Sequence, residues 1–321
     1  MSQLLTVPVL LLSAFPAEHA VGVPVTTVAN VEFHSAFWVN LHHTLYAAAW
    51  SKRPDTGGRR LVPPLPSPLD APLGRGERAA WDSAVAYYDR ALADRDLRTG
   101  RGMTEIKRAL AADDMGADAV GPALRAVLEQ AAPVYRKHYW TPHDRSNRDW
   151  IDSTATLFRS IEREIVTSHE RLYGRPWFSA PVRVDVVWAG RAYTTLNPVT
   201  HTTVSPAERS ISGWTGLEIV LHELGHELIV PTDRVLSDAL GARRENHRDL
   251  WHTIQFYLTG AALQRVLAAR GIEYAPYMYS TGLFDRAWRR YRPTVEEHWG
   301  AFVRGEITQR EAIERTVAAL R

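Results

Sequence analysis

The chain has 321 residues, 45% hydrophobic and 23% charged, with a net charge of +2, which fits a globular chain with a sizeable core and excludes a disordered or collagen-like one. No cysteine is present, so disulfides, thiolate metal ligands and cysteine nucleophiles are excluded. Lys and Arg are scattered among acidic residues, which argues against a nucleic-acid-binding protein.

Leu4 to Phe15 is apolar, and the small, polar-turning stretch Pro16 to Ala20 follows. Residues 1–20 read as a secretory signal and predict export to a periplasmic or extracellular space, although the usual positive charge before the apolar run is missing. The competing reading is a buried N-terminal segment. The run is too short to span a bilayer, and no other segment approaches that length.

Val31 to Trp50 reads as helical, with Phe33, Phe37, Trp38, Leu41, Leu45 and Tyr46 at helical spacing. Pro54 to Gly76 reads as an extended loop, because Pro63-Pro64-Leu65-Pro66-Ser67-Pro68 cannot be helix. Helical patterns resume at Arg78 to Asp94, Thr104 to Ala112, Val120 to His138 and Asp144 to Tyr173. The pattern then alternates: Val182 to Trp188 is β-branched and reads as a strand, with shorter strands at Thr194 to Leu196 and Thr200 to Ser205. Helix returns at Thr215 to Val230, stopped by Pro231, and again at Asn246 to Arg270, Leu283 to Tyr291, Thr294 to Arg304 and Thr308 to Leu320. The order predicts an α+β, predominantly helical fold. A helical region at 21–175 precedes a catalytic region at 176–321, or the two form one continuous domain.

The chemistry concentrates in His222-Glu223-Leu224-Gly225-His226. Histidines four apart on a helix place both rings on one face, where they can grip one zinc ion. Glu223 lies about 100° round the helix from His222. Its carboxylate is thereby directed to a water on the metal, whose pKa zinc lowers and whose proton Glu223 takes. Thr215-Gly216-Leu217-Glu218 has a capping-box pattern, and Leu217, Val220, Leu221, Leu224 and Leu228 supply an apolar body. Gly225 costs roughly 1 kcal/mol of helix propensity against Ala, which makes sense if another element approaches closely there. The bland alternative is a structural histidine pair.

This segment resembles the zincin superfamily of zinc metallopeptidases, in its gluzincin-like branch. Arg248-Asp249-Leu250-Trp251-His252 and Phe37-Trp38-Val39-Asn40-Leu41-His42-His43 are in turn similar to poorly characterised bacterial zincin-like proteins. The superfamily likeness covers about residues 182 to 260. It implies a small sheet beside the zinc helix, whose edge strand binds an extended substrate by strand pairing. The segment containing Thr202, Thr203 and Val204 occupies the matching place.

A catalytic zinc takes three protein ligands, and two candidates remain for the third. Glu245 with Asp249 resembles the gluzincin pair in which the acid binds zinc and the aspartate orients a ligand histidine. His252 is the rival, favoured by a helix starting near Asn246 and by the likeness to the Asp-Leu-Trp-His proteins. Asp249 fits as a supporting partner in both arrangements. For the oxyanion donor, Tyr277 is the first candidate, with Tyr274, Tyr279 and Tyr193 behind it. His42 and His43, adjacent on a helix, point in different directions. His138 and His143 read as surface or packing residues, and His169 as part of a solvated helix face.

The expectation is a zinc-dependent hydrolase, a metallopeptidase with one Zn2+ per chain and a peptide or protein substrate. Its rivals are a zinc hydrolase of a non-peptide substrate and a non-catalytic metal-containing binding protein. The sequence carries no clear oligomerisation signal.

Overall fold

Val28 and Val31 face each other across Ala29 and Asn30, both in left-handed backbone conformations with φ of 48° and 61°. Two positive-φ residues close a tight hairpin, joining strand β1 (Thr26–Val28) to β2 (Val31–His34). The computed structural model describes residues 22–53, 73–98, 100, 102–195, 201–208 and 210–320. The expected signal at 1–20 and most of the proline-rich loop lie outside the described residues.

Beyond the hairpin come helices α1 (Phe37–Ser51), α2 (Arg75–Ala91), α3 (Met103–Ala111), α4 (Gly121–Tyr135) and the long α5 (Thr141–Tyr173). Strands β3 (Val182–Val186), β4 (Tyr193–Thr195) and β5 (His201–Val204) follow. Then come α6 (Gly213–Leu228), α7 (Val230–Leu240), α8 (Leu250–Ala268) and the short α9 (Tyr277–Ser280). Short helical segments run from Leu283 to Arg304, and a last helix spans Gln309–Ala319. The fold is mostly helical with one small mixed sheet, as the α+β expectation has it. No described helix is long and apolar enough to cross a membrane.

The sheet order is β1-β2-β3-β5-β4. β2, β3 and β5 run parallel, and β1 and β4 pair antiparallel at the two sides. Two sequence expectations change here. Val31–His34 is strand, not the start of the first helix, and pairs in register with Val182–Asp185. The strand carrying Thr202, Thr203 and Val204 is interior, bonded to β3 on one side and β4 on the other. All three residues are fully buried, so no substrate can pair with them; β4 is the strand on the outside.

Two apolar cores divide the chain. One joins the sheet to α5, α6 and α8 through residues such as Phe33, Phe158, Val184, Leu221 and Leu258. The other is built from α1 to α4 and reaches past β3 only at Val187 and Ala189. The hairpin at residues 26–34 and α5 from Trp150 onward thus belong with the core of the C-terminal half, and residue 175 is not where the cores divide. His169, expected on a solvated face, is fully buried and bonded to the Ile165 carbonyl at 2.9 Å. α7 has no counterpart in the sequence reading: Pro231 ends one helix and sits in the first turn of the next, where proline is tolerated.

Candidate metal centre

α6 is held by burial of Leu217, Val220, Leu221, Leu224 and Leu228. It begins after Ser212, earlier than the predicted capping box. Glu218 is therefore no cap. It is buried, and its carboxylate accepts from the Tyr274 hydroxyl and, at 2.9 Å, from the backbone N–H of Tyr277. Burial pushes its pKa up to about 7.

One turn further along α6, His222 and His226 meet His252 from α8. Their ring centroids form a nearly equilateral triangle, 5.0 Å for His222–His226 and 5.1 Å for each of the other two pairs. One ligand nitrogen from each of the three lies within 4.8 Å of the others, and the Nε2 atoms of His222 and His252 are 3.2 Å apart. Two nitrogens at about 2.05 Å from a tetrahedral zinc stand about 3.3 Å apart. The spacing fits that geometry. His222 is buried, while His226 and His252 are partly open, so access to the centre lies on their side.

The donor set suits zinc or another borderline metal. Burial lowers the pKa of His252 to about 4 and of His226 to about 3, and drives His222 well below its ordinary value. All three imidazoles are consequently neutral near pH 7 and carry lone pairs. Apolar rings enclose them: Phe256 stacks on His222 at 3.5 Å, Trp251 lies 5.5 Å from His226, and Trp288 lies 5.4 Å from His252.

Glu245, the other candidate ligand, lies exposed in the turn Gly241–His247 and is not in the cluster. Asp249 is also placed differently from expectation. It sits at the N-cap of α8 with an exposed side chain, and its carboxylate makes no hydrogen bond to the three histidines. The contact that ties α8 to His222 comes from Gln255, whose Nε2 donates to the His222 carbonyl at 2.6 Å. A Cβ on Gly225 would stand 3.0 Å from that same Nε2 and 3.1 Å from the Tyr173 hydroxyl. This is the close approach that its residue type suggested.

Glu223 is buried, with one carboxylate oxygen 3.8 Å from Nε2 of His226. Burial raises its pKa to about 8, against the opposing hydrogen bond from Thr194. Thr194 is on β4, and its hydroxyl also bonds the Thr202 hydroxyl at 2.9 Å. Thr202 is thus engaged inside the sheet and is not a substrate contact.

The tyrosines divide. Tyr277 packs on Phe256 with ring centroids 6.1 Å apart, one aromatic layer from His222. Tyr274 is committed to Glu218, and Tyr279 donates to Glu296. Tyr193 accepts from the buried Lys107 ammonium at 2.6 Å. His42 and His43 are buried on α1 and bond the Tyr88 hydroxyl and the Ala189 carbonyl, apart from the one histidine cluster among the described residues. His143 is buried against Trp188 and bonds the Tyr135 hydroxyl. Thr194, Gln255 and Trp288 escaped the sequence reading. Phe256 was legible in principle, being four residues after His252 and so on the same helical face.

No protein-family model, no curated protein and no solved structure matches the chain.

Proposed function

We propose that this chain is a zinc-dependent hydrolase of zincin type that cleaves peptides. His222, His226 and His252 would hold the metal, and Glu223 would act as general base. The observation that carries the reading is the convergence of His252, from a different helix, on a histidine pair that a glutamate accompanies. A structural histidine pair needs neither the third imidazole nor the acid.

Bound zinc would supply Lewis acidity, lowering the pKa of a coordinated water and polarising a carbonyl. The chain's own residues supply the rest. Glu223, buried beside the histidines, would be held ionised by a bound cation, which opposes the effect of burial, and in that form would accept the proton from the attacking water and pass it to the leaving amine. Trp251, Trp288 and Phe256 exclude bulk water, which strengthens each electrostatic contact. β4 bonds β5 along one side only among the described residues, and its other side offers backbone groups for an extended chain. That feature favours a peptide over a compact small molecule.

The test is metal analysis of the purified chain paired with digestion of a mixed peptide library. The expected result is about one zinc per chain and cleavage that a chelator stops and added zinc restores. Zinc without cleavage would replace the enzyme with a binding protein; no retained metal would overturn the reading altogether.

A further inference from the structure

A cavity opens on the far side of α8, with a volume of about 630 Å³. Tyr257, Ala261 and Gln264, spaced four and three residues apart, form its floor. Ala261 lies about 180° round the helix from His252, so the cavity and the histidine cluster sit on opposite faces. Glu273, Tyr274, Pro276, Tyr279 and Glu296 complete the walls, and no Lys, Arg or His is among the lining residues.

We propose that this cavity binds an organic cation, a guanidinium or alkylammonium head carried on an apolar stem. Tyr257, Tyr274 and Tyr279 line the cavity together with Glu273 and Glu296, and tyrosine rings and carboxylates both attract such heads. The wall already holds one guanidinium by this chemistry. Arg292 lies over the Tyr279 ring at 5.4 Å while its Nε donates to Glu296 at 3.0 Å. Glu296 is thereby compensated. Glu273 has no ion-pair partner among the described residues, leaving one carboxylate for an incoming cation. The two carboxylates disfavour an anion, and the volume falls within the range of small-ligand sites, about 300–1,000 Å³. The head can arrive on a free small molecule or on a basic side chain of a peptide.

The experiment is calorimetric titration of the full chain at low salt. The probes are guanidinium chloride at sub-denaturing concentration, the capped tripeptide Ala-Arg-Ala, and the same tripeptide with neutral citrulline in place of arginine. The arginine peptide is expected to bind at least about fivefold more tightly than the citrulline one. Glu273→Gln and Tyr257→Leu should each weaken it by a similar factor. Glu273 is exposed and Glu273→Gln should leave the melting temperature unchanged, which keeps the test independent of folding. Binding should persist in chelator-treated protein, since the cavity does not depend on the histidine cluster. A tripeptide much tighter than guanidinium identifies a peptide source, and equal affinity a free cation. Equal binding of the citrulline peptide, indifference to both substitutions, or no detectable binding would overturn the proposal.

Discussion

The Nε2 atoms of His222 and His252 stand 3.2 Å apart, although thirty residues of chain separate the two histidines. Neither helix alone brings more than two ligands to this point. The three-histidine cluster therefore belongs to the packing of α6 on α8. His252→Ala is expected to remove most bound zinc, whereas Glu245→Ala leaves the zinc content at wild-type level. Elemental analysis after dialysis checks both. Loss of zinc on Glu245→Ala would reverse the assignment. Since a ligand that binds only the folded state stabilises it by about 2.7 kcal/mol at a hundredfold excess over its dissociation constant, His252→Ala should also abolish the rise in melting temperature on adding zinc.

Glu223→Gln removes the proposed base and keeps the shape. It should retain zinc and lose about 10²–10⁴-fold in turnover of whichever library peptide the wild type cleaves. Thr194→Val, which deletes a neighbouring hydroxyl that favours the ionised carboxylate, should fall between the two. Unchanged turnover in Glu223→Gln would remove the acid from the mechanism.

Glu218 carries a pH signature. Its folded-state pKa, raised by burial to about 7, lies above its unfolded value near 4.5. The folded state binds the proton more tightly, so stability from this group is greatest below about pH 4.5 and is lost as pH rises towards 7. The loss is on the order of 3 kcal/mol at most. Urea denaturation from pH 5 to pH 8 should show the decline in wild type and a flatter profile in Glu218→Gln. Parallel profiles would show that Glu218 ionises in place without cost.

Gly225→Ala sets helix propensity, worth up to about 1 kcal/mol in favour of alanine, against a methyl placed 3.0 Å from Gln255 Nε2 and 3.1 Å from the Tyr173 hydroxyl. Tyr173 is itself tied to Thr259 at 3.0 Å. Both partners are engaged, so the methyl pushes α8 away from α6. The expected effect is a zinc affinity weaker by about tenfold with little change in apo stability, read by competition with a metal chelator dye. Unaltered affinity would mean that the Gln255 side chain yields without moving His252.

Asp185 lies buried on β3, where burial raises its pKa but the hydrogen bond from His201 at 2.9 Å and the Arg183 guanidinium outweigh it and hold the carboxyl below its usual range. Asp185→Ala removes the acceptor shared by His201 and the partly exposed Arg183 and should cost about 1.5–3 kcal/mol, measured by denaturant titration.

Much of this was legible in the chain. The alternation at 182–188 gave β3, and the apolar spacing of 217, 220, 221, 224 and 228 gave α6. Phe33, Phe37 and Leu41 also repeat every four residues, and a short apolar run fits helix or strand equally by period. Only the register with β3 shows that Val31–His34 is extended. Glu218 matched a capping box because that pattern is local, yet the Tyr274 hydroxyl and the Tyr277 amide reached it from the next layer.

His222, Glu223 and His226 could be placed from sequence because a helix fixes which side chains share a face within one turn, whatever surrounds it. His252 was named there only as one of two candidates for the third ligand; the choice between it and Glu245, and the identity of the outer strand, could not be made. Each depends on which segments distant in the chain come to lie side by side, and burial of the two apolar cores decides that across long separations. Local geometry therefore supplied the chemistry of the pair, and packing of α8 on α6 supplied the rest of the cluster.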